Sequence, residues 1–365
     1  MESMDTKYAQ LLTSYCLELK EGDKLYIKST TLAEPLVREV YKKAIEAGAI
    51  VEVDLDFREK NSIFLNAANE DQLNYVSPLY FQAMDKFDAY LNIRAPFNLR
   101  EDASVPSEAA RIRAKALEKA QKRYFTRIAD RSLKRCLCQY PTQASAQEAG
   151  MSLTEYESFV HKACKLHLDN PEKGWLKVRE EQQRIVDHLN KSENIHYKGP
   201  EIDVKFSVKG RTWINSDGRS NMPSGEVFTA PVEDSVEGKI RFSFPAIHGG
   251  QEVEKATLWI KKGLIYKWEA EKGQEYLDKI FKIPGTTRFG EAAIGTNYEI
   301  QHITKNILFD EKIGGSIHMA IGQSYLQCGG KNKSTVHWDM ISDMKQGGEI
   351  WTDGEKIYQD GKFLI

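Results

Sequence analysis

The chain has 365 residues, a length at which one hydrophobic core usually gives way to two, so two domains are expected. Hydrophobic residues make up 41% and charged residues 28%, with 51 Lys and Arg against 53 Asp and Glu; this is the profile of a soluble globular protein with no special affinity for polyanions. Five scattered cysteines without a CxxC pair argue against a disulfide framework or a cysteine zinc site, and no stretch reaches the roughly 18 apolar residues of a membrane span. Glu2 and Asp5 stand where a secretory signal carries basic residues, so a reducing cytoplasm is the expected setting.

Residues 24–29 predict a short strand. Residues 34–47 follow as a helix with an apolar stripe at Leu36, Val37, Val40, Tyr41, Ala44 and Ile45, ended by Gly48. A second strand at 50–55 completes a βαβ unit. A helix near 73–86, a strand at 89–93, a helix near 107–123 and a strand at 136–140 continue the alternation, which predicts a mainly parallel sheet covered on both faces. No glycine-rich phosphate loop follows any of these strands. From 111 to 135 there are ten Lys or Arg against Glu118 and Asp130, a run that reads as a solvated helix face, with RNA binding as the competing view.

Helices at 153–167 and 173–191 are separated by Asp169-Asn170-Pro171, where the domain boundary is expected: 1–170 forms an α/β domain and 171–365 a β-rich α+β domain. Strands are predicted at 203–208, 225–229, 239–244, 256–261, 264–268, 315–321, 335–340 and 349–358, with one helix at 271–281. Asp353-Gly354 and Asp360-Gly361 are hairpin turns by composition.

The chemistry concentrates in this second half. In HWDM, His337 and Asp339 are two apart, so on a strand they share one face while Trp338 points to the other. Such a pair is by default a hydrogen-bonded surface pair. His318 lies in the apolar run GSIHMAIG with Tyr325 seven residues on, Glu291 sits between Gly290 and two alanines, and Glu226 heads the apolar stretch EVFTAP. A carboxylate in such surroundings is costly unless paired or bound to a cation. Two Glu, two His and one Asp supply the N/O donor mixture that suits zinc, cobalt or manganese in a two-metal hydrolase site. HExxH and GxSxG are both absent, against a helix-borne zinc protease and a serine elbow, and His248 and His302 read as structural.

At NMPSGEVFTAPVEDSVEG, FGEAAIGTN, LFDEKIGGSIHMAIGQSY and STVHWDMI, in that order, the chain resembles the M29 family of metallo-aminopeptidases. LKEGDKLYI, KAIEAGAIVEV and YPTQASAQEAGMSLTEYESFV extend the resemblance over most of the length. The resemblance implies two divalent metals held by Glu226, Glu291, His318, His337 and Asp339, with Tyr325 at the centre as ligand or catalytic hydroxyl. It implies a homodimer whose enclosed site takes short peptides with a free N-terminus. Glu291 is expected to bridge the metals, Glu226 to relay a proton to the leaving amine and Tyr325 to stabilise the oxyanion. A metal-dependent amidase for another small amide and a non-catalytic RNA-binding protein are the alternatives; neither a membrane nor a nucleic acid is an expected partner.

Overall fold

A computed structural model describes residues 3–365. The chain forms two compact units: Met1–Glu172 with Gly218–Pro223, and Lys173–Asp217 with Ser224–Ile365.

The first unit is built on parallel strands β1 (Lys24–Thr30), β2 (Ile50–Asp56), β3 (Ala89–Arg94) and β4 (Lys134–Gln139), side by side in the order β2-β1-β3-β4. The two-residue strand Asn221–Met222 joins the β4 edge in parallel. Leu25 and Ile27 of β1 and Ala89, Leu91 and Ile93 of β3 are buried, in the period of two that a strand imposes. The helix Glu34–Glu46 buries Leu36, Val37, Val40 and Ala44 of its expected stripe, but Tyr41 and Ile45 are 45% and 48% exposed.

One helix was expected between β2 and β3, near 73–86; there are three, Lys60–Ala67, Glu70–Asn74 and Pro78–Lys86. Asn69 caps the second in a reciprocal box with Gln72, and Pro78 opens the third, a position where its missing N–H costs nothing and where the preceding backbone is driven out of the helical region. The basic stretch forms the helix Ser107–Ala129. Within it Arg113 donates to the Leu73 and Tyr75 carbonyls, Arg123 to Asp85, and Arg127 to the Met84 carbonyl and Ser132. Part of the charge run is therefore internal architecture.

The second unit is β-rich, as the residue pattern predicts. An eight-stranded sheet holds, among others, Asn194–Gly199, Ile202–Ser207, Glu349–Thr352 and Glu355–Gln359. The β segment expected at 349–358 is folded at its Asp353-Gly354 turn into a hairpin, because both residues adopt positive φ (47° and 93°), the geometry of the tight turn whose twist matches its flanking strands. Asp360 and Gly361 repeat it at φ 48° and 84°.

A second sheet has five strands: β5 (Ile214–Ser216), β6 (Glu226–Thr229), β7 (Phe289–Gly295), β8 (Ser316–Gly322) and β9 (His337–Asp343), ordered β9-β8-β7-β6-β5 and antiparallel throughout. No strand was expected at β7. The two sheets share one core, with Val204, Ile350 and Tyr358 from the first and Ile294, Met319, Trp338 and Met340 from the second. Among the described residues no helix is long and apolar enough to cross a membrane.

Candidate metal centre

The five-stranded sheet is buried on both faces, yet its faces differ in kind. Val227, Ala292, Ile294, Ile317, Met319, Ile321, Trp338 and Met340 point into the shared core. The alternate residues point the other way, and these are Glu226, Glu291, His318, His337 and Asp339. The period of two thus separates an apolar face from a donor face along the same four strands.

Strand register explains why the donors can converge. Glu226 lies opposite Gly295, Glu291 and Asp339 both lie opposite Ala320, His318 opposite Ala293, and His337 opposite Gly322. Long polar side chains therefore alternate with residues that have little or no side chain, which leaves a shallow bowl between them. Gly322 is fixed by more than space: its φ is +98°, and a Cβ there would stand 2.1 Å from the Val336 carbonyl oxygen.

Two clusters result. One ligand atom from each of Glu226, Glu291 and His318 lies within 4.8 Å of the others, and so do atoms of Glu291, His337 and Asp339. Glu291 belongs to both: its Oε1 is 3.8 Å from His318 Nε2 and its Oε2 is 3.1 Å from His337 Nε2. His318 Nε2 is also 3.4 Å from Glu226 Oε2, and His337 Nε2 is 3.5 Å from Asp339 Oδ1. All five residues that the sequence singled out as donors meet here. Tyr325 stands beside them, its ring centroid 4.9 Å from that of His337 and 5.4 Å from that of Phe228.

Two further residues escaped the sequence reading. Glu311 forms a third such group with His318 and Asp339, and Lys312 is wholly buried with Nζ 3.6 Å from Glu226 Oε1 and in direct contact with Glu311. Asp310 holds this segment in place by accepting from the Thr304 backbone N–H and hydroxyl, both at 2.8 Å. The available signal was the charged triplet Asp310-Glu311-Lys312 set between Leu308-Phe309 and Ile313, one short turn before the strand that carries His318.

Burial raises the carboxyl of Glu291, but His318 and His337 outweigh it and hold the group below its usual range. Against the same burial, His337 draws Asp339 down to about 2. His318 resists desolvation because Glu291 and Glu226 pull it up to about 9, and Asp339 and Glu291 raise His337 well above the ordinary imidazole value. Glu311 is pushed up to about 8, first by burial and then by Glu226 and Asp339 in spite of Lys312. Without an added cation, this cluster must retain protons on its bases.

The unpaired atoms test whether the residues fit a divalent cation. The Nδ1 of His337 is 2.7 Å from the Gln323 carbonyl oxygen, which can only accept, so Nδ1 carries a hydrogen and Nε2 is the ring atom aimed at two carboxylates. That arrangement is repulsive unless a proton or metal lies between, and it is the outer hydrogen bond by which metal-binding histidines are oriented. His337 Nε2, Asp339 Oδ1 and Glu226 Oε2 are all buried without a hydrogen-bond partner. Three orphaned acceptor positions on one bowl, in a donor set of carboxylates and imidazoles, fit a hard or borderline divalent ion.

Fold and site together define a two-unit protein whose β-rich half carries a buried carboxylate–imidazole cluster suited to divalent metal. The chain belongs to the thermophilic metalloprotease (M29) family, which it matches over residues 2–363, and that membership implies a divalent metal. It is 27% identical to Aminopeptidase 2 of Geobacillus stearothermophilus, across 98% of this chain and 97% of that one. Aminopeptidase AmpS of Bacillus subtilis is 30% identical over 56% of this chain and 58% of its own length. The fold matches that of wild-type AmpT from Thermus thermophilus at a TM-score of 0.85, with 24% identity and 99% of each chain covered.

Proposed function

We propose that the chain is a metal-dependent aminopeptidase that removes N-terminal residues from short peptides, with two divalent ions on the donor face of the five-stranded sheet. The observation that carries this reading is Glu291: its two oxygens face His318 on one side and His337 on the other, as a carboxylate shared by two cations would. Glu226 and His318 complete one set and His337 and Asp339 the other, with Glu311 within reach of His318 and Asp339. The names borne by the relatives support the peptide substrate. Zinc, cobalt and manganese all suit the donors.

When bound, such ions polarise a scissile carbonyl and bring a water near neutrality as a nucleophile. The residues supply the rest. Glu226, through the oxygen that a metal would leave free, would pass a proton to the leaving amine. Tyr325 keeps its hydrogen, since burial and the nearby carboxylates of Glu291, Asp339, Glu311 and Glu226 raise the phenol well above its usual range. It can therefore donate to a developing oxyanion. The Gln323 carbonyl holds the His337 ring in its tautomer. A homodimer that encloses the site accompanies this reading, and sedimentation velocity checks it.

The direct test is hydrolysis of leucine p-nitroanilide by the purified protein, by the chelated protein and after cobalt or zinc is restored, with an N-acetylated substrate alongside. Activity that disappears and returns with metal, on the free amine only, is the expected result. Equal cleavage of the blocked substrate would replace an aminopeptidase by a general amidase.

A further inference from the structure

Lys312 is the one ammonium that the centre itself contains among the described residues, and its position is lopsided. Its side chain is 0% exposed, Nζ is 3.6 Å from Glu226 Oε1 and it touches Glu311. The remaining cluster, Glu291 with His337 and Asp339, includes neither of these carboxylates, and the lysine reaches it only at longer range, through the Asp339 that lies within reach of Glu311. The lysine cannot swing away at little cost. Its backbone carbonyl accepts from the Asn297 N–H at 3.0 Å, its own N–H donates to the Phe309 carbonyl at 3.0 Å, and the neighbouring Ile313 bridges to Asn297.

We propose that Lys312 is a positioning residue that makes the two cation positions unequal, by acting as a resident counter-ion on Glu226 and Glu311. Resting on the two-cation reading above, this assigns the tighter position to Glu291, His337 and Asp339 and the weaker, exchangeable one to Glu226, Glu291 and His318. Two effects of one charge oppose each other here. The ammonium holds Glu226 and Glu311 in place before any metal arrives, which lowers the cost of ordering them. It also competes with the incoming ion for the same carboxylates. Coulomb repulsion between a unit charge and a divalent ion a few ångströms apart is worth several powers of ten in affinity even at an effective dielectric constant near 20, so competition dominates although the paired carboxylates offset much of it. The consequence is a centre that keeps one ion firmly and exchanges the other with its surroundings.

The experiment is a zinc titration of the metal-stripped full chain against a chromophoric chelator, with bound zinc counted by elemental analysis. Wild type is expected to take two ions in separable steps, at least about tenfold apart on the same Coulomb estimate. Lys312→Met, which keeps most of the length of the side chain but not its charge, is expected to tighten the second step and close most of that gap, whereas Lys312→Arg keeps it. Zinc should also raise the unfolding midpoint of Lys312→Met more than that of wild type, because a cation then relieves buried carboxylates that lack their lysine. A lysine with only a structural role would shift both midpoints equally. Lys312→Gln takes the place of the methionine variant should that one not fold. Two ions bound with equal affinity by wild type, or an unchanged gap in the uncharged variant, would overturn the inference and leave the two-cation reading standing. No zinc bound by any of the proteins would overturn both.

Discussion

His337 and Asp339 sit on one face of β9, with His337 Nε2 3.5 Å from Asp339 Oδ1, and neither of these atoms has a hydrogen-bond partner. Trp338, between them, points into the core on the opposite face. Four residues of sequence therefore serve two separable purposes, and substitutions should separate them.

Replacing His337 by Ala removes a donor without disturbing the core. Loss of at least about 100-fold in kcat/KM, the range in which even outer-shell partners of metal ligands act, is expected together with reduced metal content. Parallel kinetics and elemental analysis check it; full metal with near-normal turnover would refute the assignment.

Trp338→Ala should do the reverse. Trp338 is 2% exposed and packs on His248 and Tyr276, at centroid distances of 5.4 and 6.0 Å. Its loss should cost about 3–5 kcal/mol of stability. Chemical denaturation should show the drop, while metal stoichiometry under folding conditions stays intact and Trp338→Phe recovers most of the stability.

Ala320 lies between Glu291 and Asp339 in the cross-strand row and is fully buried. A leucine there would fill the bowl in which the donors converge. Ala320→Leu should lower metal affinity and destabilise by about 1–3 kcal/mol, the usual penalty of overpacking. Unchanged affinity in a competition titration would show that these small residues do not shape the site.

Tyr325→Phe removes one hydroxyl from a ring tilted at 58° to that of His337, with the centroids 4.9 Å apart. If that hydroxyl donates to the oxyanion, kcat should fall by about 100- to 1000-fold with metal content unchanged. A loss of metal instead would make Tyr325 a ligand.

Metal binding should release protons at pH 7. In the metal-free centre His318 is held up at about 9 and His337 well above the ordinary imidazole value, so both carry an extra proton there, whereas Asp339 at about 2 is already ionised. Ligands bind metal only when deprotonated, so affinity should rise with pH and level off above the His318 value. Calorimetry in buffers of different ionisation enthalpy measures the proton count; binding with no proton release at pH 7 would contradict the proposed ligand set.

Much of the molecule was legible from local pattern. The βαβ alternation gave the parallel sheet and the Asp-Gly pairs marked two real turns, because side-chain period and positive φ are properties of a few consecutive residues. The same holds for the suspicion attached to Glu226, Glu291, His318, His337 and Asp339, since a charge inside an apolar run is visible without a fold. What local pattern lacked was β7. PheGlyGluAlaAlaIleGly has two glycines and a carboxylate, a poor strand by composition, and it becomes one only because β6 and β8 flank it.

The sequence by itself determined which residues are chemically out of place and that His337 and Asp339 share one face of a strand. Tertiary structure alone decided that Glu291 stands between two histidines, that Ala293, Gly295, Ala320 and Gly322 clear the space around the donors, and that Glu311 and Lys312 join them. The physical reason is register. Donors on four strands meet only through a hydrogen-bonding alignment across more than a hundred residues of chain, and a slip of one position would turn each of them into the core.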